Sequence, residues 1–261
     1  MAELRILVCV KRVPAPGARI TLTADRQGID TKNLGFATSP HEECAVEGAI
    51  RLVEEHGGSA TVLTLGAVEA DEQLRYAVSV GVSAAVHVTH EALAGGADWD
   101  AQATARALAA AISTLEATDG PFDLILFGNE SADAGGFQVG VRVARSLGRA
   151  IVNGIKGIAI SDGVVTAQRE STDGFEVYQL ALPAVLGVKE GLNLPRYPTL
   201  PGRLKSKKVE VPVLAAELLP GGLTTLQFDN AAEVVVETTM LGTGVDAAPA
   251  IVDLLEELGL L

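Results

Sequence analysis

From the N-terminus to about residue 150, short apolar runs alternate with stretches in which apolar residues recur every three or four positions. Leu4–Val10 predicts a first strand. A loop with Pro14, Pro16 and Gly17 leaves it, and 19–34 predicts a small hairpin. Ser39-Pro40-His41-Glu42 predicts a helix start: Ser39 caps, Pro40 suits the first helical position and Glu42 completes a capping box. Ala45, Ala49, Leu52 and Val53 then carry the helical spacing to a stop at Gly57-Gly58. Strands are predicted at 60–65, 84–88 and 122–127. A helix over 69–80 turns Leu74, Ala77 and Val78 inward. A longer helix is marked by Ala101, Ala105, Leu108, Ile112 and Leu115, and another by Val139, Val143 and Leu147.

Strands alternating with helices imply right-handed crossovers and a mostly parallel sheet, hence an α/β fold of the adenine-nucleotide-binding (Rossmann-like) type. Ligands of such sheets sit at the carboxyl ends of the strands. Three loops leave those ends: 9–16, 66–69 and 128–136.

After residue 150 the pattern changes. Strands are predicted at 151–160, 164–169 and 175–182, with turns at Ser161-Asp162-Gly163 and Asp173-Gly174, and another strand at 183–188. This antiparallel portion is expected to extend or flank the parallel sheet. Residues 190–208, with Pro195, Pro198 and Pro201, predict an exposed loop. The tail from 209 lacks strong periodicity until Ile251, Leu254, Leu255 and Leu258 mark a final helix. Such a tail is either an arm that packs on a partner or a poorly ordered terminus. The expected organisation is an α/β domain over 1–189, an exposed loop over 190–208 and a C-terminal arm over 209–261.

Composition narrows the function. With 261 residues, 48% of them hydrophobic, the chain can bury one sizeable core. A formal net charge of −13 argues against a nucleic-acid partner, although Arg203, Lys205, Lys207 and Lys208 form a local basic cluster. Cys9 and Cys44 lie in segments that read as buried, which fits a reducing compartment. Neither has a second Cys or His at metal-ligand spacing, so no metal site is expected. No signal peptide or bilayer-spanning stretch is predicted, and the expected location is the cytoplasm or an organelle matrix, mitochondrial if the source is eukaryotic.

The strongest local signal is the loop Gly128-Asn129-Glu130-Ser131-Ala132-Asp133-Ala134-Gly135-Gly136, which follows a strand and precedes a helix. Its glycines and the helix N-terminus suit a phosphate, and a plain turn with surface glycines explains them equally. It is neither a Walker A loop nor the dinucleotide fingerprint. His41 at a helix start reads as a surface residue on residue type alone, and His56, His87 and His90 have no triad-like companions. No nucleophile-and-base arrangement is present, so no catalytic residue is assigned.

The opening 1–13, the Ser39-Pro40 step followed by Glu43-Cys44-Ala45-Val46-Glu47, and the loop 128–140 resemble the electron transfer flavoprotein beta subunits. So do Leu182-Pro183-Ala184-Val185, Leu194-Pro195-Arg196-Tyr197-Pro198-Thr199-Leu200-Pro201 and Lys205-Ser206-Lys207-Lys208. The likeness runs from residue 1 to about 212. It implies a heterodimer in which a larger alpha subunit holds most of the FAD and the beta subunit binds AMP structurally. Carried over by position, the AMP contacts are Cys9, Ser39, Pro40, His41, Glu42, Gly66, and Gly128 through Phe137, Gln138 and Val139. Pro16 and His41 would lie near the flavin. Arg196, Leu200, Lys205 and Lys208 would meet a dehydrogenase, with Leu200 as the anchor, and Glu170 would meet the alpha subunit.

The resemblance further implies an electron carrier rather than an enzyme, passing electrons from acyl-CoA or related flavin dehydrogenases to a membrane quinone oxidoreductase. The chain departs from the family pattern in three places. Pro16 and His41 replace aromatics, Leu194 replaces a glutamate, and Ala134-Gly135-Gly136-Phe137 replaces acidic and small polar residues. Two rivals stand beside this reading. One is an electron-bifurcating relative with a second FAD in place of AMP. The other is a stand-alone ATP-binding stress-type protein. An ATP-pyrophosphatase-like ligase fits poorly, because Lys11-Arg12-Val13-Pro14 is not a phosphate loop.

Overall fold

The computed structural model describes residues 3–89, 99–216, 223–231 and 238–261. His90 and parts of the loosely patterned tail lie outside them. The chain divides into two units, Met1–Phe228 and Asp229–Leu261.

In the first unit, β1 (Leu4–Val10) is followed by a two-residue strand pair, β2 (Val13–Pro14) with β3 (Phe36–Ala37). The hairpin expected over 19–34 reduces to one bridge between Leu22 and Ile29. Then come α1 (Pro40–His56), β4 (Gly58–Gly66), α2 (Asp71–Val80), β5 (Ala84–Thr89), α3 (Ala101–Asp119), β6 (Leu124–Gly128) and α4 (Val139–Ser146). β7 (Ile151–Ser161), β8 (Val164–Ser171), β9 (Gly174–Ala181) and β10 (Ala184–Val188) complete the sheet with β11 (Val213–Ala215), and α5 (Leu200–Lys208) lies between β10 and β11.

The nine-stranded sheet has the order β11-β5-β4-β1-β6-β10-β7-β8-β9. All neighbours from β11 to β7 are parallel, and only β7–β8 and β8–β9 are antiparallel. Successive β1 side chains alternate between two cores, as strand geometry requires. Ile6, Val8 and Val10 pack with α1 and α2, whereas Leu7 and Cys9 pack with α3 and α4. The chain runs from β1 outward through β4 and β5, then crosses back to β6 on the other side of β1. β1 and β6 therefore flank a topological switch point.

Three further features differ from expectation. The sequence pattern groups a strand at 183–188 with the antiparallel portion, but β10 sits inside the parallel sheet between β6 and β7, with every residue buried. Its unbroken apolar run, Ala-Val-Leu-Gly-Val, is the pattern of a strand covered on both faces. The loop expected over 190–208 ends in α5, which Thr199 caps by accepting from the Gly202 N–H at 3.1 Å. Gly202 meets the carbonyl of Ser79, so α5 approaches α2 at a position where a Cβ has no room. Finally, residues from the loosely patterned tail form β11, which pairs with β5.

The second unit contains a short 3₁₀ turn (Gly244–Ala247) running into α6 (Ala248–Glu257), the helix that the spacing of 251–258 predicts. Its described residues expose Val245, Ile251, Val252, Leu254 and Leu258.

Candidate functional site

The carboxyl ends of β1, β4 and β6 open into a cleft of about 470 Å³, closed on one side by α3 and Trp99. Its walls are Cys9 to Arg12 after β1, Leu65 to Ala70 after β4, and the glycine-rich loop after β6. Of the nucleotide residues taken from the sequence, Cys9, Glu42, Gly66, Gly128, Asn129, Glu130, Ser131, Ala134, Gly136, Phe137, Gln138 and Val139 line it. Ser39, Pro40, His41, Ala132, Asp133 and Gly135 do not, although several of them position groups that do.

Glu42 lies at the base. It is 6% exposed, and its Oε2 accepts from the backbone N–H of Lys11 at 3.1 Å and from that of Ser39 at 3.3 Å. The second of these is the Glu42 half of the expected capping box. Gly128 makes the placement possible, because a Cβ there would stand 2.6 Å from the Glu42 Cγ. Burial pushes the Glu42 carboxyl up to about 8, an effect the Lys11 and Ser39 hydrogen bonds and the Lys11 charge only partly offset. Burial, and secondarily the nearby Glu42, also push the Cys9 thiol far above its usual range, so Cys9 is an inert wall residue.

The glycine-rich loop is tied down at its start and at its middle. The Asn129 N–H donates to the Val188 carbonyl at 2.7 Å, and the Lys11 ammonium meets Asp133 at 2.7 Å. Burial opposes ionisation of Asp133, but the Lys11 hydrogen bond and charge hold it below the usual carboxylate range. Within the loop, the Gly135 N–H donates to the Ser131 carbonyl at 2.9 Å and the Ala134 N–H to the Asp133 carboxylate at 2.8 Å. Phe137 takes a positive φ of 55° and is half exposed. At the start of α4, Gly140 packs against the Phe127 ring, which a Cβ would meet at 3.2 Å.

His41 sits just behind the loop. Its Nδ1 accepts from the Glu190 backbone N–H at 2.7 Å, so a neutral ring carries its hydrogen on Nε2, 3.5 Å from the Glu130 carboxylate. Pro16, its expected companion, is exposed and outside the cleft.

Two cleft cations were not singled out from the sequence. Lys11 is committed to Asp133. Arg12 stacks its guanidinium on the Phe36 ring at 3.5 Å, and its Nε is buried without a hydrogen-bond partner among the described residues. The Arg12 side chain lines the cleft, where its charge suits an anion. The available signal was the Lys11-Arg12 pair directly after the first strand, at the sheet's carboxyl edge.

The remaining candidates lie elsewhere. Leu200, Lys205 and Lys208 are exposed on α5, with Leu194 and Tyr197 exposed just before it. Arg196 turns inward: its guanidinium reaches Glu47 at 2.8 Å and Glu54 at 2.6 and 2.9 Å. Glu170, on the β8–β9 hairpin, pairs with Lys156 at 2.5 Å. Among the described residues, no three or more His, Cys, Asp and Glu side chains gather to hold a metal, and no helix is long and apolar enough to cross a membrane.

A family model described as the electron transfer flavoprotein domain matches residues 28–219. The chain is 33% identical to the electron transfer flavoprotein subunit beta of Mycobacterium bovis over 239 residues, 90% of this chain and 87% of that one. It is 30% identical to the subunit of the same name from Thermoanaerobacterium thermosaccharolyticum over 245 residues, 92% and 89% of the two chains. It is also 31% identical to the protein FixA of Azorhizobium caulinodans over 221 residues, 82% and 76% of the two chains.

Proposed function

The chain belongs to the electron transfer flavoprotein family, and from that premise we propose that it is the beta subunit of a heterodimeric carrier that binds AMP in the cleft at the ends of β1, β4 and β6. Membership implies association with flavin and with an alpha subunit. The observation that carries the nucleotide assignment is a 470 Å³ cleft at the strand ends in whose wall twelve of the residues expected to meet AMP stand beside Lys11 and Arg12. The charge of Arg12 and the backbone of the glycine-rich loop suit the phosphate, and Trp99, Leu108, Phe137 and Val139 suit the base and sugar.

FAD, held mainly by the alpha subunit, would supply the reversible storage of electrons. This chain would shape the dimer and present the docking surface. Leu194, Tyr197 and Leu200 form an apolar exposure beside Lys205 and Lys208. That combination suits a partner with an apolar pocket and an acidic rim, as expected of an acyl-CoA or related flavin dehydrogenase. Electrons would pass on to a membrane quinone oxidoreductase. In this reading the carrier works in the cytoplasm, or in the matrix of a mitochondrion, and no residue of this chain makes or breaks a covalent bond.

A nucleotide inventory tests the proposal. The chain is co-expressed with its alpha subunit and the complex denatured, and the released nucleotides are identified by mass spectrometry. Equal FAD and AMP is the expected result. Two FAD without AMP would mean an electron-bifurcating relative, and a chain that purifies alone with ATP and no flavin would overturn the reading.

A further inference from the structure

Glu42 is an unusual group to find at the base of a site for an anion. Both backbone hydrogen bonds it accepts fall on Oε2, and the Ser39 hydroxyl is its one further hydrogen-bonding neighbour, so Oε1 receives no backbone donor in a residue that lines the cleft. The side chain is 6% exposed and is pressed under the backbone of Gly128. The Lys11 ammonium pairs with Asp133 and acts on Glu42 only through its charge.

The other ionisable groups around it are Cys9 on β1, His41 on α1 itself, Glu130 and Asp133 on the glycine-rich loop, Glu69 after β4, and Arg12. Cys9 is held as a neutral thiol and Glu130 adds a carboxylate, so neither offers Glu42 a counter-charge. The N-terminal dipole of α1, the two N–H donors, the Lys11 charge and the Ser39 hydroxyl favour the anion, but burial outweighs them. An ionised Glu42 would also repel a phosphate sharing the cleft, whereas a protonated one offers it a donor.

We propose that Glu42 keeps its proton in the folded protein and donates a hydrogen bond from Oε1 to the anionic group of the bound nucleotide, so that nucleotide binding and proton binding are linked. The inference rests on the reading of the cleft as a nucleotide site. Linkage is reciprocal: the nucleotide strengthens the hold on the proton, and loss of the proton weakens the hold on the nucleotide. No bond other than O–H is involved, and the proton comes from solvent.

The test uses the heterodimer stripped of its AMP and titrated calorimetrically with AMP from pH 6.5 to 9, in buffers of different ionisation enthalpy. The wild-type affinity should fall about tenfold between pH 7 and pH 9, with close to one proton taken up per AMP at the upper end. Glu42→Gln keeps the shape and a permanent donor; it should bind AMP at pH 9 about as well as at pH 7, with that proton uptake gone. It also serves as the blank for the other titrating groups, including the phosphate. A wild-type affinity that is flat with pH, or a Gln variant with the wild-type slope, would overturn the proposal while leaving the nucleotide site intact. Proton uptake is read on the wild type and does not depend on the variant's folding. If AMP failed to bind at any pH, the nucleotide reading itself would fall, and the proposal with it.

Discussion

The guanidinium Nε of Arg196 lies 2.8 Å from the Glu47 carboxylate, a side chain only 3% exposed in the middle of α1. Arg196 also donates its backbone N–H to Glu47 at 3.2 Å and grips Glu54, about two turns further along, with both terminal nitrogens. Asn193 donates to the Cys44 carbonyl at 2.9 Å, and Arg51 donates to the Leu194 carbonyl at 3.2 Å. The segment before α5 is thus fastened along α1, and Leu194 and Tyr197 are turned outward by that fastening. Burial opposes the charge on Glu47, but the hydrogen bonds from Arg196 and Arg51 win and hold it below the usual range.

Arg196→Ala should therefore loosen the docking segment rather than simply remove a surface charge. Breaking a fully buried pair costs about 3–5 kcal/mol; with Arg196 itself 35% exposed and Arg51 still present, about 1–3 kcal/mol is expected. Arg196→Lys should recover little of it, since an ammonium cannot bridge two carboxylates as a fork does. Hydrogen exchange over 190–200 checks this: faster exchange confined to that segment is expected, and unchanged exchange would remove Arg196 from the positioning role.

Leu200→Ala tests the other half of the docking surface. Leu200 is 73% exposed at the first turn of α5, and Thr199 rather than Leu200 caps the helix. Truncation should leave stability within about 0.5 kcal/mol. If Leu200 fills a pocket on the dehydrogenase, the loss of a buried leucine should raise KM for the carrier about tenfold or more, with flavin content unchanged. Unaltered electron transfer from the dehydrogenase would count against the assignment.

The elements legible in the sequence are those whose pattern matches their environment. β1 and α1 follow from alternation, capping chemistry and a terminal glycine, and they carry Cys9 and Glu42 to the cleft. The glycine-rich loop was legible because Gly128 sits at a strand end and Gly140 at a helix start. Sheet order was not legible: the strand at 184–188 looked like one more arm of a meander because it follows two hairpins, and only its fully apolar composition marked it as internal. α5 was hidden by Pro201, which suits the first turn of a helix as well as a loop. The inward turn of Arg196 was hidden too, since its partners stand on a helix some 150 positions earlier.

Gly128→Ala should damage the cleft without unfolding the sheet. Any Cβ at this position meets the Glu42 Cγ at 2.6 Å, and the Glu42 backbone N and the His41 Cβ at 3.3 Å, so the start of α1 must move away from β6. Overpacking of this kind costs about 1–3 kcal/mol. The expected outcome is a folded heterodimer that loses AMP on purification, read by nucleotide content and thermal unfolding together. A variant that retained stoichiometric AMP would show that the contact between Gly128 and Glu42 does not set the site.

The buried Glu42 carboxyl also gives stability a pH dependence of definite sign. In the unfolded chain it ionises near its ordinary value of 4.5, and in the folded protein near 8. Between those values unfolding releases a proton, so this group's contribution is fully present below about pH 4.5 and is lost as pH rises toward 8, beyond which it is level. Carboxylates held low, such as Glu47 and Asp133, act in the opposite sense and in a more acidic range, so they leave this window clear. Glu42→Gln removes the proton but not the shape. Urea unfolding of the full chain at pH 5 and pH 8 should show the wild type losing on the order of 2–4 kcal/mol relative to Glu42→Gln across that interval. Parallel curves for the two proteins would mean that Glu42 ionises in the fold as it does in water, and the carboxyl would then stand in the cleft as a charge.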